Sequence, residues 1–355
     1  MKAMFRVDAS VQMGSGHLMR CLTLAETLRE RGVDTHFVCR EHVGNLIGLL
    51  TQKGMPVAVL PVTGTIAASN GDDYAAWLGV TEAEDAEQTI VAFSAAKPDW
   101  LVVDHYGLDI DWEKRLRPHV ARILVIDDLA SRRHDCDVLL DQNYSTETER
   151  RYAGLVTPTS KLLLGPRYAL LRKEFRAIRD RLGPRTHRLA RILVFITAGD
   201  DQGETLKAMQ GIEFFGKAEG VDVVVGTENP DKTEIIQKCK ELRWGYHCQV
   251  DYMPRLIAQA DLAIGAGGSS NWERCALGVP ALVVILAENQ APIARALGHA
   301  GVICNLGWSR DLQASDYASA LGAMNQDRLA AMTEKSLALV DAVGAERVAD
   351  ALLAA

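Results

Sequence analysis

Four neighbouring residues near the start of the chain have types that could do chemistry together: Gly14, Ser15, Gly16 and His17. The pattern predicts a short apolar strand before them and a helix with periodic apolar residues after them. Glycine lets the backbone approach a ligand without a Cβ in the way, and the unpaired N–H groups at a helix start suit an anion. An imidazole at that place can exchange protons near neutral pH. The run therefore predicts a site for a negatively charged substrate that carries its own acid or base.

Two well-known nucleotide loops are disfavoured for this run. Met19 stands where a dinucleotide-binding turn has its third glycine, and Cys39 and Arg40 stand where an acidic residue would end the second strand. The Gly-Lys-Ser/Thr sequence of a P-loop is absent. A tight turn with Ser15 as a helix cap explains the glycines equally well, whereas for His17 we favour a function.

A second group of polar residues follows the apolar pair Val102-Val103. It consists of Asp104, His105 and Tyr106. Asp104 could orient an imidazole or accept a hydrogen bond from a sugar hydroxyl, and Tyr106 could stack on a sugar or donate to a phosphate. Asp104 and His105 could instead cap the next helix. We favour a function for at least one member of the group.

A third group contains several carboxylates and a histidine, namely Asp127, Asp128 and His134 with further acids nearby. Such a group could hold a divalent cation. No compact ligand pattern such as His-Glu-x-x-His is present, and Arg132 and Arg133 are close enough in sequence to pair with these acids. We therefore expect no metal site here.

A glycine-rich turn is predicted between a strand and a helix in the second half of the chain. Its candidate ligand-binding residues are Gly267, Gly268, Ser269, Ser270 and Asn271. Backbone N–H groups and serine hydroxyls in such a turn could cradle a pyrophosphate. Glu273, one helical turn later, could accept hydrogen bonds from both hydroxyls of a ribose. A capping box would explain the serine and the glutamate but not the glycines, so we favour binding.

Asn289 and Gln290 come directly after the next predicted strand. Their amides suit sugar hydroxyls or phosphate oxygens. An ordinary polar turn explains this short segment equally well. If the strands are parallel, these amides and the glycine-rich turn lie at the same edge of one sheet.

The elements that must position these groups alternate between strand and helix along the whole chain. This rhythm predicts an α/β protein with parallel, doubly wound sheets, in which ligands bind at the carboxyl ends of the strands. A polar stretch near residues 179–191, with a Gly-Pro pair, predicts a linker. We expect two Rossmann-like domains, 1–185 and 186–355, facing each other across a cleft. Residues 329–355 are predicted to be helical throughout, with the last helix packing back on the first domain.

Composition bounds the class of protein. The 355 residues are 48% hydrophobic and 24% charged, as in soluble globular proteins, and the formal net charge of −7 disfavours nucleic-acid binding. The seven cysteines show no Cys-x-x-Cys spacing, which favours free thiols in a reducing cytoplasm. The sequence shows neither a signal-peptide pattern nor a long uncharged apolar run. We expect a cytoplasmic monomer that does not insert into membranes.

Taken together, these motifs resemble a known family. The glycine-rich turn, the glutamate after it and the Asn-Gln pair resemble the UDP-binding half of GT-B glycosyltransferases, the group that includes MurG. Other segments resemble the PseG family, UDP-2,4-diacetamido-2,4,6-trideoxy-β-L-altropyranose hydrolases of pseudaminic acid biosynthesis. These segments are Gly14–Leu22, Val102–Asp109, Ile126–Ala130, His134–Asn143 and Leu163–Arg172. The resemblance covers nearly the whole chain.

The resemblance implies a GT-B fold and a hydrolase that needs neither metal nor cofactor. Water would attack the anomeric carbon of a UDP-sugar with inversion, and UDP would leave. His17 matches the position of the general base, Tyr106 matches a residue near the sugar, and Asp104 is a further catalytic candidate. The candidate substrate-binding residues are Gly14, Ser15, Gly16, Arg20, His105, Gly267, Gly268, Ser269, Ser270, Asn271, Glu273, Asn289 and Gln290.

One segment departs from the family pattern. The chain reads Thr197-Ala198-Gly199-Asp200 where the family shows a Gly-Gly-x-Asp turn. The departure bears on the phosphate contacts of that loop and on the sugar that is accepted.

Three other functions stay open on the sequence. A glycosyltransferase of the same fold would need an acceptor, and a nucleotide-sugar sensor would bind UDP without turnover. A metal phosphohydrolase would use Asp127, Asp128 and His134 and would be sensitive to chelators.

Overall fold

The computed structural model describes residues 1–62, 74–93, 97–147, 150–199 and 201–354. The chain forms two compact units. The first unit contains Met1–Asn143, Glu147–Leu170 and Val343–Ala355, and the second contains Tyr144–Thr146 and Leu171–Ala342. Residues 171–185, which the sequence assigned to the first domain, therefore lie in the second unit, and the final residues lie in the first.

The first unit is built on a parallel sheet, which has seven strands within the described residues. The strands are β1 (Lys2–Val7), β2 (Asp34–Arg40), β3 (Val57–Leu60), β4 (Trp100–Asp104), β5 (Arg122–Ile126), β6 (Val138–Asp141) and β7 (Lys161–Leu164). Their order across the sheet is β3-β2-β1-β4-β5-β6-β7. Most of these strands are buried along their length because helices cover both faces of a parallel sheet, which explains their continuous apolar sequences.

The second unit has a parallel sheet of six strands within the described residues. The strands are β8 (Arg191–Phe195), β9 (Gly220–Val225), β10 (Gly245–Cys248), β11 (Leu262–Ala266), β12 (Ala281–Ile285) and β13 (Cys304–Trp308). Their order is β10-β9-β8-β11-β12-β13. The predicted α/β class with two doubly wound sheets is confirmed.

The helices alternate with the strands as the sequence predicts. They are α1 (Gly16–Glu30), α2 (Ile47–Gln52), α3 (Glu82–Ala92), α4 (Ile110–Leu116), α5 (Lys173–Arg179), α6 (Glu204–Phe215), α7 (Lys232–Leu242), α8 (Met253–Gln259), α9 (Ser270–Ala276), α10 (Ala291–Ala300), α11 (Ala314–Gly322), α12 (Gln326–Leu339) and α13 (Gly344–Leu353). Short 3-10 turns lie at Tyr74–Leu78, Arg117–His119, Arg150–Tyr152, Pro166–Tyr168, Glu288–Gln290 and Ser309–Asp311.

The prediction that residues 329–355 are helical throughout is wrong at residues 340–343. The chain leaves the helical path between α12 and α13, where Ala342 has a left-handed φ of 59°. Helix α13 then packs against α1, and the Trp100 indole nitrogen donates to the Leu352 carbonyl at 3.2 Å. Gly344 is required at its start, because a Cβ there would lie 2.2 Å from the Ala169 carbonyl oxygen.

Strand order reverses at one point in each sheet, and these points position the candidate residues. In the first unit β1 and β4 are neighbours, with Val7 opposite Asp104, although α1 leads the chain from β1 to β2. In the second unit β8 and β11 are neighbours in the same way. Loops diverge at such a point and leave a crevice at the carboxyl ends of the strands.

Candidate functional site

His17 and Asp104 form the centre of the site in the first unit. Helix α1 begins at Gly16, so His17 lies in its first turn, and Asp104 is the last residue of β4. The His17 Nδ1 atom lies 2.6 Å from Asp104 Oδ1. Since two acceptors would repel each other at that distance, the proton is on Nδ1 and the ring donates it to the carboxylate. The other ring nitrogen, Nε2, makes no hydrogen bond within the described chain, and the side chain is 11% exposed.

Arg20 lies one turn further along α1 and clamps the same carboxylate. Its Nε donates to Asp104 Oδ2 at 2.6 Å and its Nη2 donates to Asp104 Oδ1 at 2.6 Å. Its Nη1 donates to Asp128 Oδ2 at 2.8 Å. Arg20 was a candidate for substrate binding, and the structure places its guanidinium against these two carboxylates, where it fixes their positions.

Tyr106 completes the cluster from the loop after β4. Its hydroxyl donates to Asp128 Oδ1 at 2.5 Å, and its ring meets the His17 ring edge to face at 4.5 Å. The predicted candidates His17, Arg20, Asp104 and Tyr106 are therefore brought together by hydrogen bonds and ring contacts. Asp128 is the additional member, which is not among the predicted catalytic or substrate-binding residues.

The charges of the cluster keep both of its carboxylates ionised. Burial alone raises the pKa of Asp104, but the Arg20 guanidinium and His17 outweigh it and hold that pKa well below its usual range. Burial likewise raises the pKa of Asp128, and Arg20 with His17 lowers it below the ordinary value. Two carboxylates and one guanidinium leave a net charge of −1 around a neutral imidazole.

An aromatic wall beside this cluster was not found from the sequence. The Tyr74 ring lies 4.9 Å from the Tyr106 ring and 4.8 Å from the Trp77 ring. Trp77 also lies 5.8 Å from Tyr106. Tyr74 and Trp77 belong to a short 3-10 turn without apolar periodicity, so no pattern in the sequence connects them with His17. Gly107 permits the approach, because a Cβ there would lie 2.6 Å from the Tyr74 carbonyl oxygen.

His105, which was a candidate for substrate binding, belongs to a different buried network. Its Nδ1 accepts the Gly107 N–H at 2.9 Å, so Nε2 carries the proton, and Nε2 faces Asp8 Oδ2 at 3.5 Å. Burial lowers its pKa to about 3, although Asp8 opposes the shift. Asp8 in turn accepts a hydrogen bond from Arg6 at 2.7 Å. The structure therefore places the His105 ring against Asp8, whereas its neighbour Asp104 holds His17.

The acids of the third sequence group are engaged by donors of the protein. Asp127 pairs with Arg132 at 2.6 Å, and His134 Nδ1 lies 2.7 Å from Glu113 Oε1. Asp128 is held by Arg20. Within the described ranges, no three His, Cys, Asp or Glu side chains are grouped as a metal would require.

The residues before His17 leave the Ser15 hydroxyl unused by the helix. Gly14 has a left-handed φ of 71° and its N–H donates to the Ser10 carbonyl at 2.9 Å. Ser15 occupies the N-cap position of α1, but in the described structure its side chain accepts no hydrogen bond there. The capping interpretation of Ser15 is therefore wrong. The Ser15 hydroxyl and the first N–H groups of α1, at Gly16 and His17, lie at the N-terminus of the helix that carries His17.

The second unit brings its two predicted motifs together. The glycine-rich turn lies between β11 and α9, and Asn289 and Gln290 lie in the 3-10 turn after β12. A Cβ at Gly267 would lie 3.2 Å from Gln290 Cβ, so glycine lets the two segments approach. The Gln290 Oε1 atom accepts the Leu286 N–H at 3.1 Å, which leaves the amide nitrogen of Gln290 to donate elsewhere.

A buried arginine, absent from the predicted set, supports this turn. Arg274 donates to the Ala266 carbonyl at 2.9 Å, to Asn271 Oδ1 at 2.5 Å and to Ser270 Oγ at 3.2 Å. Ser269 is the N-cap of α9, and among the described residues its side chain makes no capping hydrogen bond. The capping-box alternative for Ser269 and Glu273 is thus wrong.

Glu273 and Gly268 complete the predicted set. Glu273 lies half-buried in the first turn of α9, and burial raises its pKa against the opposing charges of Arg172 and Arg274. Gly268 lies half-buried between β11 and α9.

The loop that departs from the family pattern follows β8. A Cβ at Gly226, after β9, would lie 1.6 Å from the Ala198 carbonyl oxygen, so glycine is required opposite this loop. The Gly199 N–H donates to Thr197 Oγ1 at 3.4 Å. Asp200 lies outside the described residues.

In the described part of the chain, no helix is long and apolar enough to cross a membrane. No family model matches the sequence.

The fold defines the class of protein. Superposition on solved structures shows a GT-B fold over the whole chain. MurG from Acinetobacter baumannii has a TM-score of 0.69 at 14% identity, with 100% of this chain and 99% of that chain covered. The Arabidopsis thaliana protein UGT89C1, solved with UDP, has a TM-score of 0.71 at 10% identity, with 99% of each chain covered. At these identities the likeness establishes the fold alone.

Similarity in sequence points to particular proteins. The chain is 31% identical over 177 residues to a Campylobacter jejuni protein named UDP-2,4-diacetamido-2,4,6-trideoxy-beta-L-altropyranose hydrolase, with 49% of this chain and 53% of that protein covered. It is 23% identical over 305 residues to the Bacillus subtilis spore coat polysaccharide biosynthesis protein SpsG, with 84% and 82% covered. It is 23% identical over 297 residues to the uncharacterized Methanocaldococcus jannaschii protein MJ1062, with 82% and 56% covered.

The chain spans about half the length of two of these relatives. The resemblance that the motifs predicted is confirmed, because one relative carries the name of that hydrolase and the fold is the GT-B fold.

Proposed function

We propose that the chain hydrolyses a UDP-linked 2,4-diacetamido-2,4,6-trideoxy sugar to UDP and free sugar, as in pseudaminic acid biosynthesis. The observation that carries the proposal is the His17–Asp104 pair, with Nδ1 bonded at 2.6 Å and Nε2 left to accept a proton. The named hydrolase among the relatives supports the choice of substrate.

In the proposed reaction, His17 acts as general base on water. Water forms a bond from its oxygen to the anomeric carbon, its proton passes to His17 Nε2, and the bond from that carbon to UDP breaks. UDP leaves with the electron pair, and the carbon inverts. Asp104 holds the tautomer and, with Asp128, stabilises the imidazolium. A positioned base of this kind contributes about 10²–10⁴-fold to the rate.

The nucleotide is assigned to the second unit. The Gly267–Ser270 turn offers N–H groups and hydroxyls to the diphosphate, and Glu273 offers its carboxylate to the ribose hydroxyls. Donors that meet the departing phosphate stabilise its growing charge, so no strong acid is needed on that side. Asn289 and Gln290 supply further amide donors near the turn. This division assigns binding to one unit and proton transfer to the other.

The test is product analysis in ¹⁸O-labelled water with a panel of UDP-diacetamido sugars and no acceptor. We expect UDP and free sugar, with the label in the sugar because water attacks carbon. Label in UDP would show attack at phosphorus and contradict the mechanism. A requirement for an added acceptor would show a glycosyltransferase, and UDP binding without turnover would show a sensor.

Two histidine variants test whether turnover depends on His17 in particular or falls whenever a histidine of the first unit is replaced. His17→Asn should retain UDP binding while turnover falls by about 10²–10⁴-fold. His36→Asn removes another histidine of the first unit that is paired with an aspartate, Asp34, at 2.8 Å, and it should leave turnover unchanged. Near-wild-type turnover in His17→Asn would refute the assignment of His17 as the general base.

A further inference from the structure

Arg274 is an almost completely buried cation beneath the glycine-rich turn. It is 3% exposed, and its guanidinium contacts residues on both sides of the turn. On one side it donates to the Ala266 carbonyl, and on the other it bonds Ser270 and Asn271. Gly265 makes room for it, since a Cβ there would lie 2.4 Å from Arg274 Nη1.

Among the described residues, no carboxylate forms an ion pair with this guanidinium, and Glu273 acts on it only from a longer distance. The ion pairs of the described chain do not include Arg274, and its three hydrogen bonds go to neutral oxygens. Glu273 is adjacent in sequence but lies beyond ion-pair distance. Burial lowers the pKa of Arg274 to about 10, although Cys275 and Glu273 oppose the shift, so the side chain stays charged at neutral pH.

The hydrogen bonds of Arg274 determine which atoms of the turn stay free to donate. Because Asn271 Oδ1 accepts from Arg274, its amide nitrogen Nδ2 must donate elsewhere. Asn271 is fully buried, and Nδ2 finds no acceptor among the described residues. Ser270 Oγ also accepts from Arg274, which leaves the hydroxyl hydrogen available. A buried cation without an ion-pair partner and a buried donor without an acceptor thus lie together at one turn.

The buried charge of Arg274 and the buried N–H donor of Asn271 each cost free energy by themselves, and each would be stabilised by a nearby anion. A buried charge without a counter-charge loses hydration, and a buried N–H without an acceptor does the same. A phosphate oxygen at the turn would supply the missing negative charge and the missing acceptor. The arrangement therefore fits an anionic ligand such as a phosphate group.

We propose that Arg274 is a positioning residue for the diphosphate, which acts through Ser270 and Asn271 and supplies the counter-charge beneath the turn. This inference rests on the proposed function, since it concerns the same nucleotide site. On this proposal, the buried side chain of Arg274 contributes to recognition of the diphosphate and not to recognition of the uridine.

The experiment compares the affinities of UDP and uridine for the full-length protein, by calorimetry for UDP and by ligand-observed NMR for uridine. Arg274→Met should weaken UDP binding about 10- to 100-fold, as expected for the loss of charge-assisted hydrogen bonds. Uridine binding should be unchanged, because uridine has no phosphate. Arg274→Lys keeps the charge and should recover part of the UDP affinity.

Arg185 provides a matched control in the same unit. Its guanidinium also bonds backbone carbonyls, those of Ala260 at 2.7 Å and Leu277 at 2.9 Å, but it does not contact the turn. Arg185→Met should lower the melting temperature and leave the ratio of UDP to uridine affinity unchanged.

Three outcomes overturn the inference. Equal weakening of UDP and uridine in Arg274→Met would show a merely structural role, as would a ratio that matches Arg185→Met. UDP affinity equal to the wild type in a folded Arg274→Met variant, or UDP affinity in a folded Arg274→Lys variant no higher than in Arg274→Met, would show that the charge is not used. Failure of the wild type itself to bind UDP would refute the proposed function as well, so the two failures are distinguishable.

Discussion

The sharpest test of the catalytic cluster is Asp104→Asn, which changes one oxygen to an NH2 group. Three N–H donors converge on the two carboxylate oxygens: His17 Nδ1, Arg20 Nε and Arg20 Nη2, each at 2.6 Å. An amide offers only one oxygen, and its NH2 must face a donor whichever way it turns. If NH2 faces His17, Nδ1 becomes an acceptor, the proton moves to Nε2, and the base is lost.

The size of the effect follows from that geometry. A wrong imidazole tautomer costs about 10⁴-fold in kcat in a serine protease triad. General-base catalysis as a whole contributes about 10²–10⁴-fold. We therefore expect kcat for UDP-sugar hydrolysis to fall by about 10²–10⁴-fold in Asp104→Asn. UDP affinity should not change, since Asp104 lies in the other unit from the glycine-rich turn.

The assay is steady-state release of UDP from a UDP-diacetamido sugar, with UDP affinity measured in parallel. Asp128→Asn is the matched control. This substitution removes the second carboxylate that Arg20 contacts, and Asp128 makes no hydrogen bond to His17. The fall in kcat in Asp128→Asn should be at least 10-fold smaller than in Asp104→Asn, because the expected cost is that of a weakened hydrogen bond. Equal losses in the two variants, or near-wild-type kcat in a folded Asp104→Asn, would refute the assignment of Asp104 to the tautomer.

Two further predictions concern stability. Burial raises the pKa of Asp141 from 3.8 to about 7 against the opposing charge of Arg151. Because the folded pKa lies above the unfolded value, its contribution is fully present below pH 4 and is lost as pH rises to about 7, with an upper limit of about 4 kcal/mol. Asp141→Asn, which mimics the protonated acid, should flatten this part of a plot of unfolding free energy against pH; an unchanged slope would contradict the shift. Gly107→Ala should lower the unfolding free energy in urea by about 1–3 kcal/mol, because its Cβ would lie 2.6 Å from the Tyr74 carbonyl oxygen. Gly48→Ala, in α2 and with no described atom within 4 Å of the added Cβ, should leave the unfolding free energy unchanged or raise it by up to about 1 kcal/mol, and equal urea midpoints for the two variants would exclude the clash.

Much of the architecture could be predicted because the signals are local. Continuous apolar runs such as Leu101–Val103 are typical of strands buried on both faces, and the glycines and polar turns between them mark the strand ends. The two sheets, the positions of the glycine-rich turns and the resemblance to the hydrolase followed from these patterns. The position of the break between α12 and α13 did not, because neither proline nor glycine stands at residues 340–343, and the two helices contact different partners, α9 and α1.

The sequence by itself determined which residue types stand at the ends of which strands: His17 after β1, Asp104 after β4 and the glycine-rich turn after β11. Only the tertiary structure decided their partners. Asp104 and His105 are adjacent in sequence, yet one holds His17 and the other faces Asp8, because successive residues at the end of a strand point to opposite faces. Arg20, Asp128 and Arg274 likewise acquire their roles from residues distant in the chain or across a turn. Hydrogen bonds and burial, which set the tautomer and the charge of a site, depend on contacts that spacing alone does not encode.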